Sequence, residues 1–296
     1  MNKRNASLFL LLASFMWGSS FVASKVCINS GMQPFETIFI RFSFGALLIW
    51  IIFHKRFRPY NCSAIRLGLL LGISTASGFA LEMTGLVTVE ASKASFLTAT
   101  NIVILPVMYC IRYQILPRRS SFIAILSAFF GVTALSFTGD IFSPIEVGDI
   151  LLLGAACTYA INSMLAVTLH AGDSMIQVSF IQFTTTAGIM GILTWIQGCG
   201  GIYTMCSMSA TAYLIICPTV ICYIIKNSAI QYLTPVRCSL ILATQGIFCA
   251  ALSILILGDT ISWRILIGSV LIGIAIILET LYPMSNRTEV VGGSIK

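Results

Sequence analysis

The sequence predicts an all-α polytopic membrane protein with ten transmembrane helices, arranged as two inverted five-helix repeats. Three observations carry that expectation. The 296 residues are 57% hydrophobic and only 9% charged, with a mean hydropathy of +0.96, whereas a soluble domain carries about 25% charge. A chain with so little polar surface has lipid as its solvent. Its apolar runs approach the roughly 20 residues that a helix needs to cross a hydrocarbon core, and they are too long for barrel strands of about 10 residues. Finally, the run at 91–112 returns as a pattern at 235–257. A shift of 144 residues lays Arg237 on Lys93, Ser239 on Ser95, and Ala243-Thr244-Gln245 on Ala99-Thr100-Asn101. A repeat with an odd number of helices enters the membrane in opposite senses in its two copies, so the copies are related by an axis in the membrane plane.

Each element follows from local signals. The first run, 6–28, comes after Lys3 and Arg4 and continues with no clear small-x-small cleavage site, so it is expected to be a retained helix rather than a removed signal. Asn29, Ser30, Gly31 and Pro34 form the turn before 35–53, and Arg58, Pro59, Tyr60 and Asn61 the turn before 65–86. Gly68 and Gly72 in that third run make a small-residue face suited to close helix packing. The fourth run, 91–112, is interrupted by Lys93, Ser95, Thr98, Thr100, Asn101 and Pro106, and Pro117 separates it from 121–138. An acidic linker at 140–149, with Ser143 and Pro144, marks the boundary between a first repeat at 5–139 and a second at 146–282. The second repeat holds runs at 147–169, 176–197, 208–226, 236–257 and 263–281, with a glycine-rich turn at 198–201 and Pro218 inside the third of them. Residues 283–296 form a polar tail.

Lysines and arginines set the orientation. With the N-terminus in the cytoplasm, the inner side receives Lys3, Arg4, Lys55, Arg56, Arg58, Arg66, Arg112, Arg118, Arg119, Lys226, Arg237, Arg287 and Lys296. Only Lys25, Arg41, Lys93 and Arg264 fall toward the outer side, so both termini are expected to be cytoplasmic, in a plasma or bacterial inner membrane. The formal charge of +7 is therefore topological, and no nucleic-acid partner is expected. The ten cysteines show no metal-ligand spacing. Cys199 and Cys206, flanking one loop, are the pair whose positions suit a disulfide, and the sequence leaves open whether they form one. No zinc-protease, P-loop or nucleophile-elbow motif is present, and His54 and His170 lack a paired carboxylate, so neither an enzyme nor a nucleotide-driven pump is expected.

The order of short motifs resembles the EamA-like ten-helix branch of the drug/metabolite transporter superfamily. In the first half the resemblance rests on Trp17-Gly18-Ser19-Ser20-Phe21, Lys25, Pro34, Arg41-Phe42, Gly85-Leu86, Ala91, the run from Ala94 to Thr98, and Pro106. In the second half it rests on Ala229, Tyr232, Thr234-Pro235, Leu257-Gly258-Asp259, Gly268 and Gly273. The chain departs from the family at Gln245-Gly246, where Glu-Pro is frequent, at Gly258-Asp259, where Gly-Glu is usual, and at Pro117-Arg118-Arg119, which replaces an acidic residue. Loss of a carboxylate at position 245 removes proton coupling through that residue, and the coupling ion, a proton among the candidates, is left unassigned. The resemblance implies a secondary carrier or exporter moving small metabolites, amino-acid-like compounds or amphipathic drugs by alternating access, without a cofactor, as a monomer or homodimer. The alternatives are a membrane-embedded enzyme acting on a lipid or prenyl substrate, or a small-solute channel.

Candidate site residues are those whose polarity is expensive at membrane depth. Glu82 is expected to pair with one of the cations Lys25, Arg41 or Lys93. Lys25 and Lys93, with Arg237 as the equivalent of Lys93 in the second half, are read as vestibule or gating residues, the alternative being ion pairs or snorkelling side chains at helix ends. Arg41 is deep enough to hold a substrate carboxylate bidentately, or to serve a structural pair. Thr100, Asn101, Thr244 and Gln245 are read as matched cavity-lining groups, or else as an interhelical polar clasp. Trp17 with Ser20 offers an aromatic wall and a hydroxyl, and Tyr159 falls on Trp17 at a shift of 142 residues.

Overall fold

The computed structural model describes residues 3–57, 62–114, 146–166, 175–229, 232–233 and 235–258, with isolated positions in 122–130 and 267–278. The long elements among them are helical: α1 (Lys3–Asn29), α2 (Pro34–Phe53), α3 (Cys62–Thr88), α4 (Ala91–Ala99), α5 (Asn101–Tyr113), α6 (Val147–Ala166), α7 (Met175–Gln197) and α8 (Met205–Leu214). A π-helical segment, Ile215–Ile221, leads into α9 (Cys222–Ala229), followed by α10 (Pro235–Ala243) and α11 (Gln245–Leu257). Seven helical spans among the described residues are long and apolar enough to cross a membrane. Apart from those isolated positions, the apolar runs at 121–138 and 263–281, the tail at 283–296 and most of the linker at 140–149 lie outside the described residues.

The local chemistry explains the boundaries. Gly31 takes φ +92° between α1 and α2, a left-handed conformation that costs glycine nothing because it has no Cβ. Pro34 then opens α2, where a missing N–H leaves no bond unmade. Further on, Pro218 removes a backbone donor from the middle of a span, and the helix answers by widening into the π segment around it.

The fourth and ninth apolar runs are each broken once, at Thr100 and at Thr244, the pair that the 144-residue shift superposes. Thr100 has φ −59°, ψ −14° and Thr244 φ −62°, ψ −13°. In each, the threonine N–H bonds the carbonyl three residues back, Leu97 or Ile241, at 3.2 Å. Each hydroxyl donates to that same carbonyl at 2.7 Å. Each threonine carbonyl then accepts from the next helix, from Ile104 N at 3.4 Å and Phe248 N at 3.1 Å. The result is a single 3₁₀-like turn spliced between two helices, with the same bonding twice.

Packing places these breaks at the centre. The first helix lies along α8, α9, α10 and α11, while α4 packs on α11 and α5 on α10. A Cβ at Gly18 would lie 2.5 Å from the Gln245 carbonyl, so α1 and α11 approach as closely as backbones allow. On the other side, α3 packs against both α6 and α7, and α2 against α7. Gly72 faces Thr185 and the Gln182 carbonyl, where a Cβ would come within 2.5 Å of the Thr185 side chain. Interior aromatic contacts join the two groups, Phe42 meeting Phe79, Phe183 and Tyr223 edge-on at 5.2–6.1 Å between centroids. Outward-facing Trp195, Leu255, Ile196 and Ile111 present apolar surface to lipid.

Candidate functional site

A cavity lies where α1, α3, α5, α6, α9, α10 and α11 converge, lined by Trp17, Ser20, Phe21, Phe79, Glu82, Asn101, Tyr159, Asn162, Ser163, Tyr223, Lys226, Leu242 and Gln245. Six of the sequence candidates, Trp17, Ser20, Glu82, Asn101, Tyr159 and Gln245, are brought together there. Arg41, Thr100 and Thr244 stand outside the lining, and the side chain of Arg237 is outside the described residues.

One wall of the cavity is aromatic. Trp17 Nε1 donates to the Pro218 carbonyl at 2.8 Å, and the indole meets Tyr223 edge-on at 5.6 Å. That carbonyl belongs to the π segment, so the distortion produced by Pro218 supplies the acceptor that orients the tryptophan. Ser20 turns its hydroxyl back to the Trp17 carbonyl at 2.7 Å. Tyr159 donates from its hydroxyl to Glu82 Oε2 at 2.7 Å and stands edge-on to Phe79 at 5.9 Å.

Glu82 forms no ion pair with Lys25, Arg41 or Lys93 among the described residues; Tyr159 is its hydrogen-bond partner. The three cations are engaged elsewhere. Lys93 pairs with Asp149 Oδ1 at 2.8 Å, fastening α4 to the first turn of α6. Lys25 Nζ donates to the carbonyls of Leu86 at 2.7 Å, Val87 at 3.3 Å and Val89 at 2.9 Å. These include the last carbonyls of α3, which have no partner within the helix and carry its negative dipole end. The Arg41 side chain is 1% exposed. Its Nε donates to the Thr219 hydroxyl of the π segment, and its guanidinium carbon lies 4.9 Å from the centroid of Phe79 and 5.7 Å from that of Phe42. It is thus separated from the cavity by one of the cavity's own aromatic walls, while its charge still acts on Glu82 through space.

One turn along α6 and α9 from the tyrosines, the cavity lining becomes polar, at residues that no sequence pattern marks as site residues. Asn162 donates from its amide nitrogen to Leu71 O at 3.1 Å, Ser74 Oγ at 2.8 Å and Thr75 Oγ1 at 3.0 Å. Its amide oxygen accepts from Lys226 Nζ at 2.9 Å. Gln182 adds a bond from Nε2 to Thr75 Oγ1 at 2.8 Å, so one network ties α3, α6, α7 and α9 together. Lys226, counted among the inner-side cations at the end of its run, is 8% exposed, in the last turn of α9. Asn101 and Gln245, the first residues after the two breaks, make no side-chain hydrogen bond among the described residues and bring free amides to the cavity.

Beside the turn between α7 and α8, Glu36 in the first turn of α2 accepts from Gly201 N at 3.2 Å and from the Tyr203 hydroxyl. Partial burial, and then the bond to Glu36, push the Tyr203 phenol up to about 12, so it stays protonated and donating. Cys199 and Cys206 beside this clamp are free thiols.

The comparisons bear on the chain as a whole. The model of the EamA-like transporter family matches twice, over residues 4–137 and 146–281. A protein of Archaeoglobus fulgidus described as an uncharacterized transporter is 26% identical over 289 residues, spanning 93% of this chain and 86% of its own. A protein known from a crystal structure shares the fold with a TM-score of 0.78 at 13% identity, over 94% of this chain and 97% of its own.

Proposed function

The chain belongs to the EamA-like transporter family and is a membrane transporter; from that premise we propose that it is a secondary carrier, moving small amphipathic metabolites through the central cavity by alternating access. The observation that carries this reading is the pair of amides, Asn101 and Gln245, that stand beside equivalent helix breaks and turn to one cavity without a hydrogen-bond partner among the described residues. A buried amide without a partner is costly in a sealed membrane core, and a ligand or exchanging water removes that cost. Broken helices at mid-span are also where carriers place their sites. The ten-helix plan, the inverted relation of the halves, and cytoplasmic termini in the cell membrane complete the proposal, supported by the charge distribution and the twin breaks.

Sealed liposomes carrying the purified protein test it. Saturable uptake or counterflow of a metabolite supports a carrier, and flux that rises linearly with concentration indicates a channel. Conversion of a lipid or prenyl compound in detergent, without any sealed compartment, overturns it in favour of an enzyme. Asn101→Leu and Gln245→Leu are expected to lower transport at least tenfold while leaving membrane insertion intact.

A further inference from the structure

The charges around the cavity do not balance. Glu82 lines the cavity with Arg41 behind the Phe79 ring, while Lys93 is neutralised by Asp149 outside the cavity. Lys226 has no such counterpart: no carboxylate among the described residues forms an ion pair with it. An ammonium carries three N–H donors. The bond of this one is to Asn162 Oδ1 at 2.9 Å, and the Tyr223 ring centroid lies 5.9 Å away. Its position is also fixed. The three acceptors around the Asn162 nitrogen leave that amide one orientation, with the oxygen toward Lys226. A lysine with a free path would extend to the interface, whereas this one is held on the cavity wall.

A buried, unpaired cation is unfavourable until an anion joins it. We propose that Lys226, positioned by Asn162, anchors a carboxylate on the transported molecule, so that the site selects carboxylate-bearing amphiphiles over amines that lack one. One uncompensated ammonium matches a monoanion; a phosphate, with its second charge and additional acceptors, would leave charge unmatched here. The aromatic wall formed by Trp17, Phe79 and Tyr223 faces the apolar part of such a molecule. This inference rests on the carrier reading above.

The test needs no identified cargo. In Ser163→Cys, a cysteine enters the cavity wall next to Asn162 in the chain. It is exposed in detergent to the anionic reagent 2-sulfonatoethyl methanethiosulfonate and to the cationic 2-(trimethylammonium)ethyl methanethiosulfonate. Modification of residue 163 is followed by peptide mass spectrometry, and each rate is divided by the rate of that reagent with 2-mercaptoethanol. The normalised ratio is expected to favour the anion by about tenfold, to fall to about one or below in Lys226→Gln, and to persist in Lys226→Arg. Slower modification with phenylacetate present than with phenyl phosphate or phenethylamine supports the carboxylate. A ratio near one or favouring the cation in the protein that retains Lys226 overturns the proposal, and decides the matter even if Lys226→Gln does not fold. Reaction with neither reagent means that no water reaches the cavity, and overturns the carrier reading itself. Saturable transport together with a cationic preference leaves the carrier standing and removes the anchor.

Discussion

Glu82 sits at 6% exposure with a tyrosine hydroxyl 2.7 Å away, and that single bond replaces the ion pair its charge suggested. Tyr159→Phe leaves a buried carboxylate without its donor, which is expected to destabilise the protein by about 1–3 kcal/mol. Adding Glu82→Gln removes the charge that needed the donor, so the double variant should lose less than the sum of the singles. Thermal unfolding in detergent reads all four proteins, and strict additivity would leave the bond without energetic weight. The sequence does identify Glu82 as the intramembrane carboxylate, and it puts Tyr159 on the list of candidates by its match to Trp17. It does not show that they touch, because 77 residues separate them and helix packing alone closes that distance. Asn162 and Lys226 escape for different reasons. Asn162 is one amide in an apolar run with no repeat partner to flag it. Lys226 looks like a loop residue when the span is taken to end at 226, whereas the helical stretch runs on to Ala229 and keeps it inside.

Among the elements, the fourth and ninth runs show the clearest link from pattern to structure. The identities under the 144-residue shift are few, yet they fall on the residues at which both helices break. The turn itself is not legible, since threonine inside an apolar run is compatible with an unbroken helix whose hydroxyl bonds back to its own backbone. Pro218 is legible as an interruption, but not the π segment whose Pro218 carbonyl and Thr219 hydroxyl hold Trp17 and Arg41. The G-x-x-x-G of α3 is legible as a packing face, and its neighbours give it a test. Gly72→Val places atoms on the Thr185 side chain and the Gln182 carbonyl and is expected to abolish folded protein, as overpacking between close backbones cannot relax. Gly188→Ala, on the same partner helix α7 with nothing within 4 Å of its Cβ position, should leave yield unchanged. Size-exclusion profiles of tagged protein in detergent distinguish them; equal yields would mean that α3 and α7 do not approach as described.

For the whole molecule, composition alone suffices for a helical membrane protein, and the basic residues supply a direction. That direction predicts that the exposed thiols Cys199 and Cys206, beside the Glu36 clamp, react with an impermeant maleimide added to intact cells, and that Arg118→Cys reacts only after permeabilisation. The opposite pattern reverses the molecule in its membrane. The closing of the cavity is less legible, because it depends on α4 meeting α11 and α5 meeting α10, contacts set by distant parts of the chain. Those paired arms have a mechanical consequence. Each break joins a short arm of nine residues in α4 to a longer one of 13 residues in α5, repeated as nine in α10 and 13 in α11. At about 1.5 Å per residue the longer arm reaches roughly 20 Å, so a tilt of about 10° at the threonine swings its far end by about 3 Å, the width of a water molecule. Two such levers, each with its short arm first along the chain and packed on the longer arm of the other, are expected to turn a small adjustment around the cavity into the admission or exclusion of solvent.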